Sequence, residues 1–359
     1  MRMQASAGQL RAALGAFRGI VQRRNTIPVL GTVKFQDGHL VGTDLDAELS
    51  VKIASIGPMA GATAIDLFAL SSLAANIDED EELTISDEDG TATIGFNGSC
   101  YRLGSLPVED IPTFGQPIGP RTMTGNLGLV AAMSRIRFAM STEETRYYLN
   151  GVAVLHDSEG KALLVATSGH QLAMMPLAFA PEGSVSAIIP RPIVNYLCRR
   201  KMEPEACVFD LERQRARFDF AGQSLATKLI DGKFPDIFRV IPQDAPKLFT
   251  ADRKALLRRL VRIRAFSEAF FRGVALELAG DVLTLKLKNG DRTATETLPV
   301  NGTGGQAEAG FNADYLITIL NGLRGEHVTF ASPAPFASNP TVITSDGDPL
   351  TVLQMPMRV

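Results

Sequence analysis

The apolar positions of this chain follow two spacings. Val282-Leu283-Thr284-Leu285-Lys286-Leu287 alternates apolar with polar, which predicts an antiparallel strand with one face buried. Leu40–Thr43 and Ala162–Thr167 read as further strands. Asp252–Arg264 instead has a helical period. Leu256, Leu257, Leu260 and Val261 are expected on one face, and Lys254, Arg258 and Arg262 at i, i+4 and i+8 on the other.

These elements recur. A short apolar-Gly-apolar strand opening follows a helical stretch at Val29–Val33, Leu149–Val152 and Phe271–Val274, so Gly31, Gly151 and Gly273 fall about 120 residues apart. A second helix recurs in phase at Asp66–Leu73, Arg191–Leu197 and Asn312–Leu320, each opening on an acidic residue, a first-turn proline or an Asn cap. Pro112, Pro235 and Pro356, each expected in a closing strand, keep the same spacing. The pattern predicts an α+β protein of three tandem similar domains, with helices on one face of antiparallel sheets. The Pro-bearing stretches Gly115–Pro120 and Gln243–Pro246 place the boundaries, giving domains 1–118, 119–243 and 244–359.

The formal net charge of −3 argues against a uniformly basic nucleic-acid binder, but not against one basic surface balanced by an acidic one. Arg11, Arg18, Arg23, Arg24, Arg135, Arg137, Arg191, Arg199, Arg200 and Lys201 lie in or beside predicted helices. The acidic runs Asp78–Glu82 and Asp87–Asp89 lie in strands and turns. A cationic helical face of this kind grips phosphates without reading bases. Cys100, Cys198 and Cys207 form no C-x-x-C pair, so no disulfide framework or zinc site is expected and a reducing cytoplasm fits. Met1–Leu10 has no secretory apolar core, and no apolar run reaches the roughly 18 residues that span a membrane.

Eight segments, in order, resemble the bacterial DNA polymerase III beta subunit, the sliding clamp family. They are Arg24–Leu30, Gly42–Asp46, Phe138–Ser141, Arg146–Gly151, Ala166–Ala173, Gly232–Asp236, Phe271–Val274 and Met355–Arg358, and the likeness runs essentially end to end. The resemblance implies the DNA clamp fold: a homodimeric ring of six domains with pseudo-sixfold symmetry, helices lining the central hole and sheets outside. It implies a processivity factor that encircles duplex DNA without sequence preference. Its partners would be the DNA polymerase III alpha subunit, the clamp loader, and other polymerases and repair proteins carrying a short Gln-, Leu- and Phe-rich motif. No cofactor and no metal are implied.

Carried over residue by residue, the resemblance places a partner-peptide pocket at Leu149, Thr167, Gly169, His170, Gln171, Leu172, Pro235, Arg239, Val240, Met355, Pro356, Met357 and Arg358. Met and Pro would supply an adaptable apolar lining. It implies DNA contacts at Arg24, Arg146, Tyr147, Tyr148 and Arg191. It implies a subunit interface of Tyr101 and Leu103 against Phe266 and its neighbours. Read without it, the terminal Met-Pro-Met is edge packing. At least one of Tyr147 and Tyr148 is expected to be buried, because neighbours on a strand face opposite ways. The chain departs from the family where Ser168-Gly169-His170-Gln171 replaces a common Asp-Gly-His-Arg, which removes a pocket cation.

No catalytic constellation emerges. His39, His156, His170 and His327 have no metal-ligand spacing, Ser168 and His170 lack a nucleophile elbow, and Gly302–Gly305 lacks the Lys-Ser/Thr of a phosphate loop. The competing readings are a clamp-like protein that binds partner peptides without encircling DNA, and a hydrolase centred on His170.

Overall fold

The structure, a computed structural model, describes residues 1–112, 114–117, 119–124, 128–179, 185–242 and 244–359. Positions 118 and 243, at which the two expected domain boundaries fall, lie outside the described residues.

The described residues form six α-helices: α1 (Ala7–Ala16), α2 (Leu67–Ala74), α3 (Leu129–Ile136), α4 (Arg191–Arg200), α5 (Arg253–Phe266) and α6 (Ala313–Gly322). Four start where the sequence supplies a side-chain acceptor for otherwise orphaned N–H groups. Ser6 and Gln9 form a capping box at α1. Asp66 accepts from Ala69 at α2, Asp252 from Ala255 at α5, and Asn312 from Asp314 and Tyr315 at α6. No helix among the described residues is long and apolar enough to cross a membrane.

By compactness the chain divides into two units, so that the middle third is shared. The first comprises residues 1–127 and 195–229, the second 128–194 and 230–359. In the first unit one antiparallel sheet of twelve strands runs from Arg2–Ser6 at one edge to Arg121–Met123 at the other. Its continuity depends on Ala47–Lys52 pairing with Gln223–Lys228, with Leu49 opposite Leu225. α1 packs on α2. Phe17, Phe35 and Ile65 are fully buried there.

The second unit holds a nine-stranded and a four-stranded antiparallel sheet. Gln171–Pro176 pairs with Thr351–Gln354, Leu172 opposite Leu353. This joins hairpins that are far apart in sequence. α5 packs on α6, and Phe249 stacks on Phe330 with ring centroids 4.7 Å apart.

The repeated glycines open strands at Gly151 and Gly273, and the strand after Gly31 begins at Thr32. Gly151 is required by close approach: a Cβ there would collide with the Ile189 carbonyl of the neighbouring strand. The alternation at Val282–Asn289 buries Leu283, Leu285 and Leu287 as read.

Two expectations are corrected. Pro112, Pro235 and Pro356 do not lie in strands. They follow the strands ending at Leu106, Lys228 and Gln354 and stand in coil, because proline has no N–H to give a ladder. The apolar stripe of α5 is Leu256, Leu260 and Ile263. Leu257 is half-buried and Val261 is 46 % exposed, because i+1 positions lie about 100° around the helix.

Candidate functional site

Within the second unit a cavity of about 350 Å³ opens over a buried apolar cluster. Leu149, Leu172, Ile237 and Leu353 line the cavity and belong to that cluster, and Val165 and Phe234 lie in the cluster too. Leu172 and Leu353 come together because they face each other across the Gln171–Pro176 and Thr351–Gln354 ladder. The 3-10 helix Glu144–Leu149 supplies Arg146, Tyr148 and Leu149. The 3-10 turn Ile237–Arg239 and its flanks supply Pro235, Asp236, Ile237 and Val240. Met355 and Pro340 complete the wall.

The rim is a tight turn. The Thr167 hydroxyl donates to the Gln171 carbonyl at 2.8 Å and accepts from the Gly169 N–H at 3.1 Å. Gly169 takes φ +85°, a left-handed conformation that glycine adopts without strain. The turn leaves Gly169 and His170 exposed, and the His170 carbonyl accepts from the Met355 N–H at 2.9 Å. A Cβ at Gly169 would stand 2.5 Å from Nη1 of Arg146. Arg146 lies across this turn and is held by Glu143, Nε to Oε2 at 2.8 Å and Nη2 to Oε1 at 2.5 Å. That bond from Arg146 holds the Glu143 carboxyl below the usual glutamate range.

Of the thirteen residues expected at a pocket, Leu149, Thr167, Gly169, His170, Gln171, Leu172, Pro235, Val240 and Met355 line this cavity. Arg239 lines an adjoining hollow with Tyr148 and Lys233, its guanidinium 3.0 Å from Asp236. Pro356, Met357 and Arg358 do not line the cavity; Met357 instead makes a backbone bridge to Gly310. Sequence reading missed Asp236, Ile237, Pro340 and Leu353. Leu353 had a signal in its apolar neighbourhood, whereas Pro340 had none. Gln171 is 6 % exposed, and its amide donates to the Phe138 carbonyl at 3.1 Å. The departure from Arg therefore replaces a cation with a tethered amide. The Ser168 hydroxyl is buried, has no hydrogen-bond partner among the described residues and does not meet His170.

The residues expected to touch DNA come from separate elements, and Arg146 is the one at the rim turn. Arg24 is exposed in the segment before the 3-10 turn Pro28–Gly31. Arg191 opens α4 and is half-buried. Tyr147 and Tyr148 lie on a 3-10 helix and not on a strand, so they do not face opposite ways. Tyr147 is 53 % exposed and Tyr148 half-buried against the cavity's apolar cluster, and neither is buried as expected.

Many of the helix arginines tie the fold together. Arg11 donates to the Ala74 and Ile77 carbonyls, and Arg253 to those of Leu320 and Gly325. Arg135 pairs with Asp348, Arg264 with Asp314 and Arg262 with Glu296. The basic stripe read on α5 is thereby reduced to Lys254 and Arg258, both exposed and without a partner among the described residues.

Of the expected interface residues, Tyr101 is 48 % exposed and stacks on Phe96, Leu103 is half-buried, and Phe266 at the end of α5 is 50 % exposed. The strand Ser99–Leu106 pairs along one side with Thr91–Phe96. Its other side pairs, among the described residues, only at Ser105 and Leu106.

Residues 127–236 match the family model for the central domain of the DNA polymerase III beta subunit, and residues 238–358 match that for its C-terminal domain. The chain is 33 % identical to the beta sliding clamp of Caulobacter vibrioides over the whole of both chains. It is 31 % identical to that of Pseudomonas putida over 95 % of each. Its fold superposes on the crystal structure of the DNA polymerase III subunit beta from Pseudomonas aeruginosa with a TM-score of 0.92, at 28 % identity over 100 % of both chains. A sliding clamp from Bartonella birtlesii bound to griselimycin gives 0.90 at 29 % identity, again over 100 % of both. With two family models matching residues 127–236 and 238–358 and its likeness running end to end, the chain belongs to the bacterial DNA polymerase III beta subunits, the beta sliding clamps.

Proposed function

We propose that two copies of this chain close into a ring around duplex DNA and hold replication enzymes on it. The observation that carries this is the cavity of about 350 Å³ above Leu172, Ile237 and Leu353, which can take short apolar side chains of a partner peptide, in a chain of the clamp family. Relatives named as sliding clamps support the ring, and the griselimycin bound to one such clamp supports a binding pocket. The partners are the polymerase III alpha subunit, the clamp loader, and other polymerases and repair proteins. The pocket tethers them, and tethering raises their effective concentration at the template. The division into domains 1–118, 119–243 and 244–359 is part of this reading. So is the face-to-face placing of Tyr101 and Leu103 against Phe266. So is its role as a non-catalytic subunit in the cytoplasm.

Arg24, Lys254 and Arg258, cations without a partner among the described residues, contact phosphates in this reading, which also includes Arg146, Tyr147, Tyr148 and Arg191. Contacts of this kind are sequence-blind and exchange quickly, which suits sliding. The test is retention on DNA. Protein loaded on closed circular DNA is expected to remain through gel filtration and to be lost once the circle is cut. Equal retention on cut and closed DNA, or a monomer at micromolar concentration, overturns the ring.

A further inference from the structure

The charges around the cavity are matched within the chain itself. Its lining carries three ionisable side chains besides Tyr148: Arg146, His170 and Asp236. Arg146 is bound at two points by Glu143, and Asp236 by Arg239 at 3.0 Å. The position where the family often has an Arg holds Gln171, whose amide is turned to the Phe138 carbonyl. Lys233 is a further cation nearby, but it belongs to the adjoining hollow and not to the cavity.

We propose that Glu143 is a positioning residue that sets the charge preference of the peptide pocket: by holding Arg146 against the rim turn, it leaves no lining guanidinium free for an acidic partner residue. This rests on the reading of the cavity as a peptide pocket. The geometry is specific. Arg146 uses Nε and Nη2 on Glu143, while Nη1 reaches over Gly169 at the mouth. Gly169 leaves room for that reach, since a Cβ there would stand 2.5 Å from Nη1. A carboxylate on an incoming peptide has to compete with Glu143, which is already joined in the two-point geometry that suits guanidinium and carboxylate best. The pocket therefore selects partner segments by apolar and amide groups. Its binding depends little on salt.

The experiment compares two peptides on the full-length protein, one carrying Gln, Leu and Phe without charged side chains and the same peptide with one central Asp. The wild type is expected to bind the two with a Kd ratio near one. Glu143→Gln should favour the Asp peptide by about two- to fivefold, the range of an exposed ion pair. That preference should fade as salt rises and vanish in Glu143→Gln with Arg146→Gln. A loss of packing would weaken both peptides together and leave the ratio alone. A wild-type preference for the Asp peptide, or a ratio that Glu143→Gln does not move, overturns the proposal. If neither peptide binds the wild type, the pocket reading itself fails and this proposal falls with it.

Discussion

The pair Arg135–Asp348 lies 213 residues apart in sequence and 2.6 Å apart in space, with side chains only 9 % and 1 % exposed. Arg135, on α3, also donates to the Gly322 carbonyl at the end of α6. Asp348 also accepts from the Arg324 and Leu350 N–H groups. Asp348→Asn keeps the shape and removes the charge, which leaves a buried guanidinium without its counter-ion. Breaking a buried pair in this way costs roughly 3–5 kcal/mol. In a body of about 200 residues each kcal/mol moves Tm by about 2–4 °C, so a fall on the order of 10 °C is expected by calorimetry. Burial alone would push the Asp348 carboxyl up. The bonds from Arg135, Leu350 and Arg324 outweigh that and hold it below the usual range. A depressed carboxylate contributes its stability above its unfolded pKa of about 3.9. That contribution disappears as pH falls through the lower folded value. The gap between wild type and variant in urea should accordingly be full at pH 7 and shrink below about pH 4. Arg135→Met with Asp348→Asn should recover part of the loss, because it leaves no buried charge unpaired, although one backbone N–H that Asp348 accepted still lacks an acceptor. A single variant within about 1 kcal/mol of wild type, far below the cost of a broken buried pair, would refute the argument. So would a double variant no better than the single one.

Leu353→Ala opens a void in the floor of the cavity, and should cost about 2–5 kcal/mol in urea unfolding and weaken peptide binding in calorimetry. Gly169→Ala forces a side chain into φ +85° and against Arg146, so a loss of about 1–3 kcal/mol is expected together with weaker peptide binding. Lys254→Glu with Arg258→Glu should leave unfolding within about 0.5 kcal/mol of wild type, since neither side chain has a partner among the described residues, yet shorten retention on circular DNA. Tyr101→Asp should shift the sedimentation coefficient toward monomer at micromolar concentration, and an unchanged dimer would remove Tyr101 from the interface.

The local grammar of the fold was legible in the sequence. Asp66, Asp252 and Asn312 announced their helices, and the alternation at Val282–Leu287 announced its strand. The long-range joins were not. Nothing in Ala47–Lys52 specifies pairing with Gln223–Lys228, because strand register between distant segments is set by the whole packed sheet. The same limit explains the basic stripe of α5. Helical spacing places Arg262 beside Lys254 and Arg258, but Glu296, which neutralises it, lies 34 residues on in another strand. A helix face read in isolation shows where charges point and not what meets them. At the cavity, the family motifs located the rim. Ile237, Pro340 and Leu353 come from three separate segments, and only the fold brings them together.

One rim device occurs twice, and its two fates explain why a repeated sequence does not mean repeated sites. In the first unit the Thr43 hydroxyl donates to the Ala47 carbonyl at 2.7 Å and accepts from the Leu45 N–H at 3.0 Å. These are the bonds of Thr167 with Gln171 and Gly169 in the second. The third residue of each turn is left-handed, Leu45 at φ 79° and Gly169 at φ 85°. The next residue is where they part. Asp46 makes an exposed ion pair with Lys228 at 2.9 Å, and its carbonyl accepts from the Lys228 N–H. His170 has Met355 opposite it, which can make the backbone bond but no ion pair, and the imidazole stays exposed above an apolar floor. Leu45 also brings a side chain where Gly169 brings none, and that space is the one Arg146 crosses. The repeat therefore conserves a scaffold, strand to Thr turn to strand, because backbone hydrogen bonds dictate it. Two side-chain choices on that scaffold, Gly for Leu and His for Asp, distinguish the turn at the rim of the cavity from the turn that carries an ion pair.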